Sequence, residues 1–223
     1  MDRDTFIRDR RALSETRMDT IFAPIYDQDW GGYINPSHQR FVERFLEALP
    51  TQCQILDAAC GTGKYWPVIL GAGHTVVGCD QSAGMLRQAT AKTPSVHVEH
   101  IGLQELPYTD VFDGIVCIDA MECVFPEDWP RVLQNFWRAL RPDGYLYLTI
   151  EQESQEELQH AYVAGRELGF PLVWGEYAHH GGYHYYPTDE QVQQWLTEAR
   201  FHIIEHATGD GYLHILCIRA GAI

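Results

Sequence analysis

Two carboxylates stand where strand-like runs end, each just before a turn. Asp57 closes Cys53-Gln54-Ile55-Leu56, and Asp80 closes Thr75-Val76-Val77-Gly78-Cys79. After Asp57 the chain turns through Ala58-Ala59-Cys60-Gly61-Thr62-Gly63 toward a helix near Lys64. Glycine at a strand-to-helix turn allows positive φ and a close ligand approach. A phosphate cradle wants bare amides and positive charge there, whereas Asp57 suits a ligand bearing an amine or another cation. Trp66 stands where a dinucleotide fingerprint needs a third glycine for helix–strand packing, which disfavours a nucleotide-dependent oxidoreductase.

A second set of chemical groups is aromatic and imidazole. Tyr26, Trp30 and Tyr33 lie between acids in a Gly- and Pro-punctuated loop over 21–35. Trp174, Glu176, Tyr177, His179, His180, Tyr183, His184, Tyr185 and Tyr186 crowd a stretch with little helical or strand period. In both places the rings can cover a ligand or simply pin their segment to the body. The His179-His180…His184 cluster lacks carboxylate–histidine metal spacing, so no metal is expected.

The elements that must hold these groups follow from periodicity. Helices are expected over 2–20, 37–49, 64–71, from Ser82 to Lys92 with Ser82 as N-cap, 127–140, within 152–168, and after a cap at Thr188 or Asp189. Strands are expected at 53–57, 75–80, 96–100, 112–119 and 145–151, the last after the turn Arg141-Pro142-Asp143-Gly144. Two more, Phe201–Thr208 and Tyr212–Ala220, are joined by Gly209-Asp210-Gly211, a hairpin signal. Strands alternating with helices predict an α/β, doubly wound, mostly parallel sheet that binds ligands at the carboxyl ends of its strands. The expectation is a single domain over 1–223, with an N-terminal helical cap at 1–36 and a lid-like insertion at 152–187.

Composition narrows the partners. The chain has 223 residues, 45% hydrophobic and 21% charged, with a formal net charge of −15. That average field repels polyanions, so neither RNA nor DNA is expected as a partner, and the N-terminal arginines are interleaved with acids. No apolar run spans a bilayer, so no membrane association is expected. The six cysteines, without a C-x-x-C pair, read as reduced core residues of a cytoplasmic protein.

The order of these pieces resembles the class I S-adenosylmethionine-dependent methyltransferases, strongly over 37–150 and in outline at the terminal helix and hairpin. The resemblance implies a Rossmann-like, seven-stranded sheet with an antiparallel C-terminal hairpin strand, and S-adenosylmethionine as cofactor. It matches Asp57, Ala58, Ala59, Gly61 and Gly63 to the turn holding the cofactor's methionine part, with Ala59 where Gly is common. Asp80, with Gln81 beside it, matches the acid that binds the ribose. Gly102, where the family often has Asp, and Leu103 match the loop on adenine, and Met85 lies beneath that ring. Asp119, Ala120 and Met121 match the loop after strand four, which faces both cofactor and substrate. Tyr26 and Tyr33 are the aromatic residues expected to fold over the cofactor.

Methyl transfer from a sulfonium is an in-line displacement in which the protein supplies proximity, alignment and electrostatics. The expected substrate wall comprises Trp30, Met121, Glu122, Glu151, Tyr183, Tyr185 and Tyr212, with His214 at its border. Acids and aromatic rings together suit an amine or other cationic small molecule. The resulting expectation is N-methylation with His184 or Glu122 as proton acceptor. The alternatives are O- or C-methylation of a small metabolite, or a non-catalytic cofactor-binding module.

Overall fold

The computed structural model describes residues 1–178 and 182–221. His179 and His180 therefore lie outside the described residues.

Seven strands form one sheet: β1 (Gln54–Ala58), β2 (Thr75–Asp80), β3 (His97–His100), β4 (Phe112–Cys117), β5 (Leu140–Glu151), β8 (Phe201–Gly209) and β9 (Tyr212–Arg219). Their order is β3-β2-β1-β4-β5-β9-β8. The first five are parallel, and β9 runs antiparallel between β5 and β8. β1 pairs with β2 on one side and β4 on the other, so the order reverses at β1. Such a switch point opens a crevice beyond the strand ends.

Alternation of side chains along the strands divides the core. Ile55, Val116 and Tyr147 pack with α3 (Pro36–Ala48), α4 (Trp66–Gly71) and α5 (Ala83–Lys92). Leu56, Ile115, Leu146 and Leu148 pack on the other face with α6 (Trp129–Ala139) and α8 (Asp189–Glu198). Helix starts follow capping chemistry: Ser82 accepts from the Met85 amide, Thr188 from Gln191 and Asn35 from His38.

The structure departs from the sequence reading in three places. Arg141–Gly144 is not a free turn before β5 but a register shift within it, with Asp143 at φ 63°. The stretch 21–35 is not simply a loop. Helix α1 (Arg3–Arg17) runs on into a π-helical turn at Met18–Phe22, and α2 (Tyr26–Asp29) adds a further short turn. Beyond α7 (Gln155–Glu167), the insertion contains a two-residue ladder, β6 (Glu176–Tyr177) against β7 (His184–Tyr185). Among the described residues no helix is long and apolar enough to cross a membrane.

Candidate active site

A cleft of about 990 Å³, counted out to its open mouth, lies over the carboxyl ends of β1, β2 and β4. It brings together Tyr26, Asp57, Ala59, Gly61, Asp80, Gln81, Met85, Gly102, Leu103, Asp119 and Ala120. Ala58, Gly63 and Tyr33 do not line it. Ala58 is enclosed within β1, and Tyr33 is 65% exposed beyond the paired glycines. Gly63, at φ 74°, serves packing: a Cβ there would come within 2.5 Å of the Trp66 ring. Gly78 crowds the same ring from β2, at 2.6 Å for a built Cβ.

That seat explains the absent third glycine. The Trp66 Nε1–H donates to Asp57 Oδ2 at 2.8 Å. Two glycines thus admit an indole that holds the first acid of the motif. Burial, with Asp80 adding to it against that hydrogen bond, pushes the Asp57 carboxyl up to about 7. Asp80 accepts from the Gly61 amide through Oδ2 and from the Ser82 amide through Oδ1, each at 2.8 Å, so it fastens the glycine turn to the start of α5. Burial raises the Asp80 carboxyl, and these two amides oppose the rise.

The room in the cleft suits a nucleoside with an amino-acid tail. A Cβ built on Gly61 would meet nothing within 4 Å. At the other end a Cβ on Gly102 would stand 2.8 Å from Glu105 Oε2, 3.3 Å from Gln104 Oε1 and 3.9 Å from Gln81 Oε1, the ends of three flexible side chains. Met18, Lys64, Tyr65 and Gln104 also line the cleft and were not anticipated. Gln104 adjoins Leu103 and was within reach of the motif reading. Met18 was not, because its place depends on distant bonds. The Asp19 carboxylate accepts from Ser82 Oγ (2.6 Å) and the Gly84 amide (2.9 Å), and Asp27 accepts from Thr62 Oγ1 (2.6 Å) and Lys92 Nζ (2.9 Å). The segment over this cleft is therefore N-terminal. No described residue of the 152–187 insertion lines it.

Beside Asp119 lies an acidic cluster. Glu122 is 5% exposed, and its Oε2 has no hydrogen-bond partner. Burial, then Asp119 and Glu151, push its carboxyl up to about 8, against the backbone amides of Glu122 and Glu151. Tyr212 stands opposite Glu151 across the β5–β9 ladder. The insertion adds a short chain: His184 Nδ1 lies 2.9 Å from Tyr186 Oη, which donates to Glu151 Oε2 at 3.1 Å. Burial pushes the His184 imidazole down while Glu151 pulls it up, and the net direction is down. Glu151 is an electrostatic neighbour that Glu122 and His184 share.

Four anticipated wall residues are placed elsewhere. The Tyr183 hydroxyl donates to Glu176 (2.6 Å) and its ring stacks on Phe125 at 3.8 Å. The Tyr185 hydroxyl donates to Gln191 (2.8 Å), and Met121 is enclosed in the core. Trp30 is 44% exposed, its ring 5.4 Å from that of Tyr26. The rings of Tyr183 and Tyr185 anchor the insertion, as does Glu176, which is fully buried against the Arg3 guanidinium at 2.6 and 2.7 Å. The Trp174 ring meets that of Tyr162 edge-on. Among the described residues no cluster of histidine, cysteine and carboxylate could hold a metal.

Known proteins agree with this geometry. Residues 55–144 match the methyltransferase domain family. An uncharacterized methyltransferase of Oceanobacillus iheyensis is 24% identical over 189 residues, which is 82% of this chain and 86% of that protein. A tRNA (carboxymethyluridine(34)-5-O)-methyltransferase of Arabidopsis thaliana is 30% identical over 118 residues, 52% of this chain but only 28% of its own length. Among solved structures, the Burkholderia thailandensis 1,6-didemethyltoxoflavin-N1-methyltransferase, with bound 1,6-didemethyltoxoflavin and S-adenosylhomocysteine, superposes with TM-score 0.71 at 17% identity, over 96% of this chain and 90% of that one. Residues 55–144 are thus a methyltransferase domain in a chain with the fold of S-adenosylmethionine-dependent methyltransferases, and S-adenosylmethionine is the cofactor of that domain.

Proposed function

We propose that the chain methylates an amine nitrogen of a small molecule and that Glu122 accepts the proton the amine gives up. The observation that carries this reading is the enclosed Glu122 carboxyl, whose Oε2 has no hydrogen-bond partner and which is raised to about 8 by burial beside Asp119 and Glu151. A buried acid beside two partly exposed ones is costly to ionise unless a cationic ligand joins the cluster. An ammonium meeting ionised Glu122 there reverts readily to a neutral amine and a neutral acid, because burial disfavours both charges. The amine is then left with a free lone pair.

Bound S-adenosylmethionine supplies an electrophilic methyl carbon for that lone pair to attack. In this reading Asp80 and Gln81 hold the ribose, Met85, Gly102 and Leu103 the adenine, and Tyr26, Asp57, Ala59 and Gly61 the amino-acid tail. Asp119 and Ala120 border the reacting end. Glu151 and Tyr212 face the acceptor, while His184 and Tyr186 lie behind Glu151 and orient it rather than taking the proton from the amine. The net charge of −15 supports a small acceptor over a nucleic acid. All six cysteines are free, which supports a reducing, cytoplasmic setting.

The test is methyl transfer to a panel of amines, phenols, thiols and carboxylic acids. Turnover of amines, reduced about a hundredfold or more in E122Q, supports the reading. Turnover confined to anionic acids refutes it.

A further inference from the structure

Glu122 and Asp119 are neighbours with different surroundings. Glu122 has an unpartnered oxygen, whereas Asp119 is held from three sides. Asp119 follows β4 with φ 54°, a left-handed conformation costly for a residue with a Cβ. Its amide donates to Thr149 Oγ1 at 2.9 Å, and its carboxylate accepts from the Tyr212 hydroxyl. The third contact comes from His38, buried on α3, whose Nε2 is 3.0 Å from Asp119 Oδ1. Asp119 lines the cofactor cleft and is also the strongest electrostatic neighbour of Glu122, so it borders cofactor and acceptor at once.

His38 is held at both ring nitrogens. Asn35 Oδ1 accepts the His38 backbone N–H at 2.8 Å and lies against Nδ1, which fixes the ring on α3. Nε2 faces the Asp119 carboxylate, which can only accept, so Nε2 is the donor between them. The adjacent ring is held as well. His214 Nε2 faces the Gly209 carbonyl (3.1 Å) and must donate, so Nδ1 accepts from the Tyr147 hydroxyl (3.0 Å). Burial pushes the His214 imidazole down, which keeps it neutral beside His38. The other ionisable groups facing His38 are Tyr212, whose ring lies 4.6 Å away, Tyr65, and Asp210 across the hairpin.

The geometry points to His38 as a positioning residue for methyl transfer: from outside the cleft, through the proton it shares with Asp119, it fixes that carboxylate as the anion facing the methyl-donating end of the cofactor. Asn35 orients the ring and Tyr212 completes the grip. The α3 pattern explains the placement, since His38 shares the buried face of Phe41, Val42 and Phe45.

Two probes without any acceptor test this, so the outcome is independent of the amine reading. S-adenosylhomocysteine lacks the cationic centre, whereas sinefungin carries an ammonium where the sulfonium methyl stands. By calorimetry on the full chain, wild type should prefer sinefungin. H38F should weaken sinefungin about tenfold, the scale of a lost charged hydrogen bond, with S-adenosylhomocysteine within about threefold, and H38Q, which keeps an N–H, should recover most of the loss. Equal weakening of both probes would mean a merely structural role, and no weakening of either would remove the role altogether. In case H38F does not fold, proton–nitrogen NMR of the wild-type S-adenosylhomocysteine complex gives a second test. A downfield, exchange-protected proton on His38 Nε2, the nitrogen that faces Asp119, is expected, and it should be lost in D119N. Its absence in the wild type, or its persistence in D119N, overturns the proposal.

Discussion

Replacing Glu122 by Gln removes a titration and almost nothing else, so stability should respond to it in a pH-dependent way. The Glu122 carboxyl rises from 4.5 in the unfolded chain to about 8 in the fold. Below pH 4.5 both states hold the proton and no pH term arises. Between the two values the folded chain binds more protons than the unfolded one, so stability falls as pH rises, by about 1.4 kcal/mol per pH unit. Above pH 8 both states are ionised and the loss is constant, at a ceiling of about 5 kcal/mol. Gln carries none of this, but it leaves its own amide poorly partnered in the same enclosed site, a pH-independent cost of about 1 kcal/mol. E122Q should therefore be slightly less stable than wild type near pH 5 and more stable by up to about 4 kcal/mol at pH 9. Asp57 also titrates, at about 7, but it does so in both proteins and cancels in the comparison. Urea unfolding at pH 5, 6, 7, 8 and 9 measures the difference. A difference constant with pH would refute the reasoning, because it would mean that folding leaves the Glu122 proton affinity unchanged.

Other substitutions test other parts of the site. D80N removes the charged acceptor shared by the Gly61 and Ser82 amides; S-adenosylhomocysteine binding by calorimetry should weaken at least tenfold, with a lower melting temperature. G63A forces a Cβ to 2.5 Å from Trp66 at φ 74° and should cost about 2 kcal/mol or more in chemical unfolding. R3M strands the buried Glu176 carboxylate and should cost about 3 kcal/mol, most of it recovered in R3M/E176Q. With an amine acceptor, kcat/KM should rise as pH approaches 8, where Glu122 ionises, and then level off.

The strand scaffold was legible because most strands are apolar runs bounded by Gly, Pro or Asp, and α1, α3, α5, α7 and α8 start at side-chain caps. Local signals also sufficed for Asp57, Gly61 and Asp80, which lie at the ends of the paired parallel strands β1 and β2 or in the turn after β1. Long-range chemistry was not legible. His38 reads as one more inward residue of an amphipathic helix, and its partner Asp119 lies 81 positions away. The two-residue strands of the insertion have no period to detect; Arg3 fixes Glu176 from the far end of the chain. Tyr183 and Tyr185 illustrate why aromatic composition is a poor guide to a wall. A phenol near carboxylates can face a ligand or tie down a segment, and only the Glu176 and Gln191 bonds decide between them.

Helix α1 is attached at both ends, and the two attachments differ in strength. At its start Arg3 holds Glu127 and the enclosed Glu176, so breaking that contact would strand a buried charge. At its other end the π-helical turn carries Met18 to the cofactor cleft, and Asp19 and Asp27 fasten the segment to Ser82, Gly84, Thr62 and Lys92. The Asp27–Lys92 pair is 35% and 40% exposed, a setting in which an ion pair contributes no more than about 1 kcal/mol. The weaker attachment is thus the one over the cofactor, and local opening follows the weaker contacts first. The sequence predicts a lid-like insertion at 152–187; no described residue of it lines the cofactor cleft, whereas Met18 and Tyr26 of the N-terminal segment do.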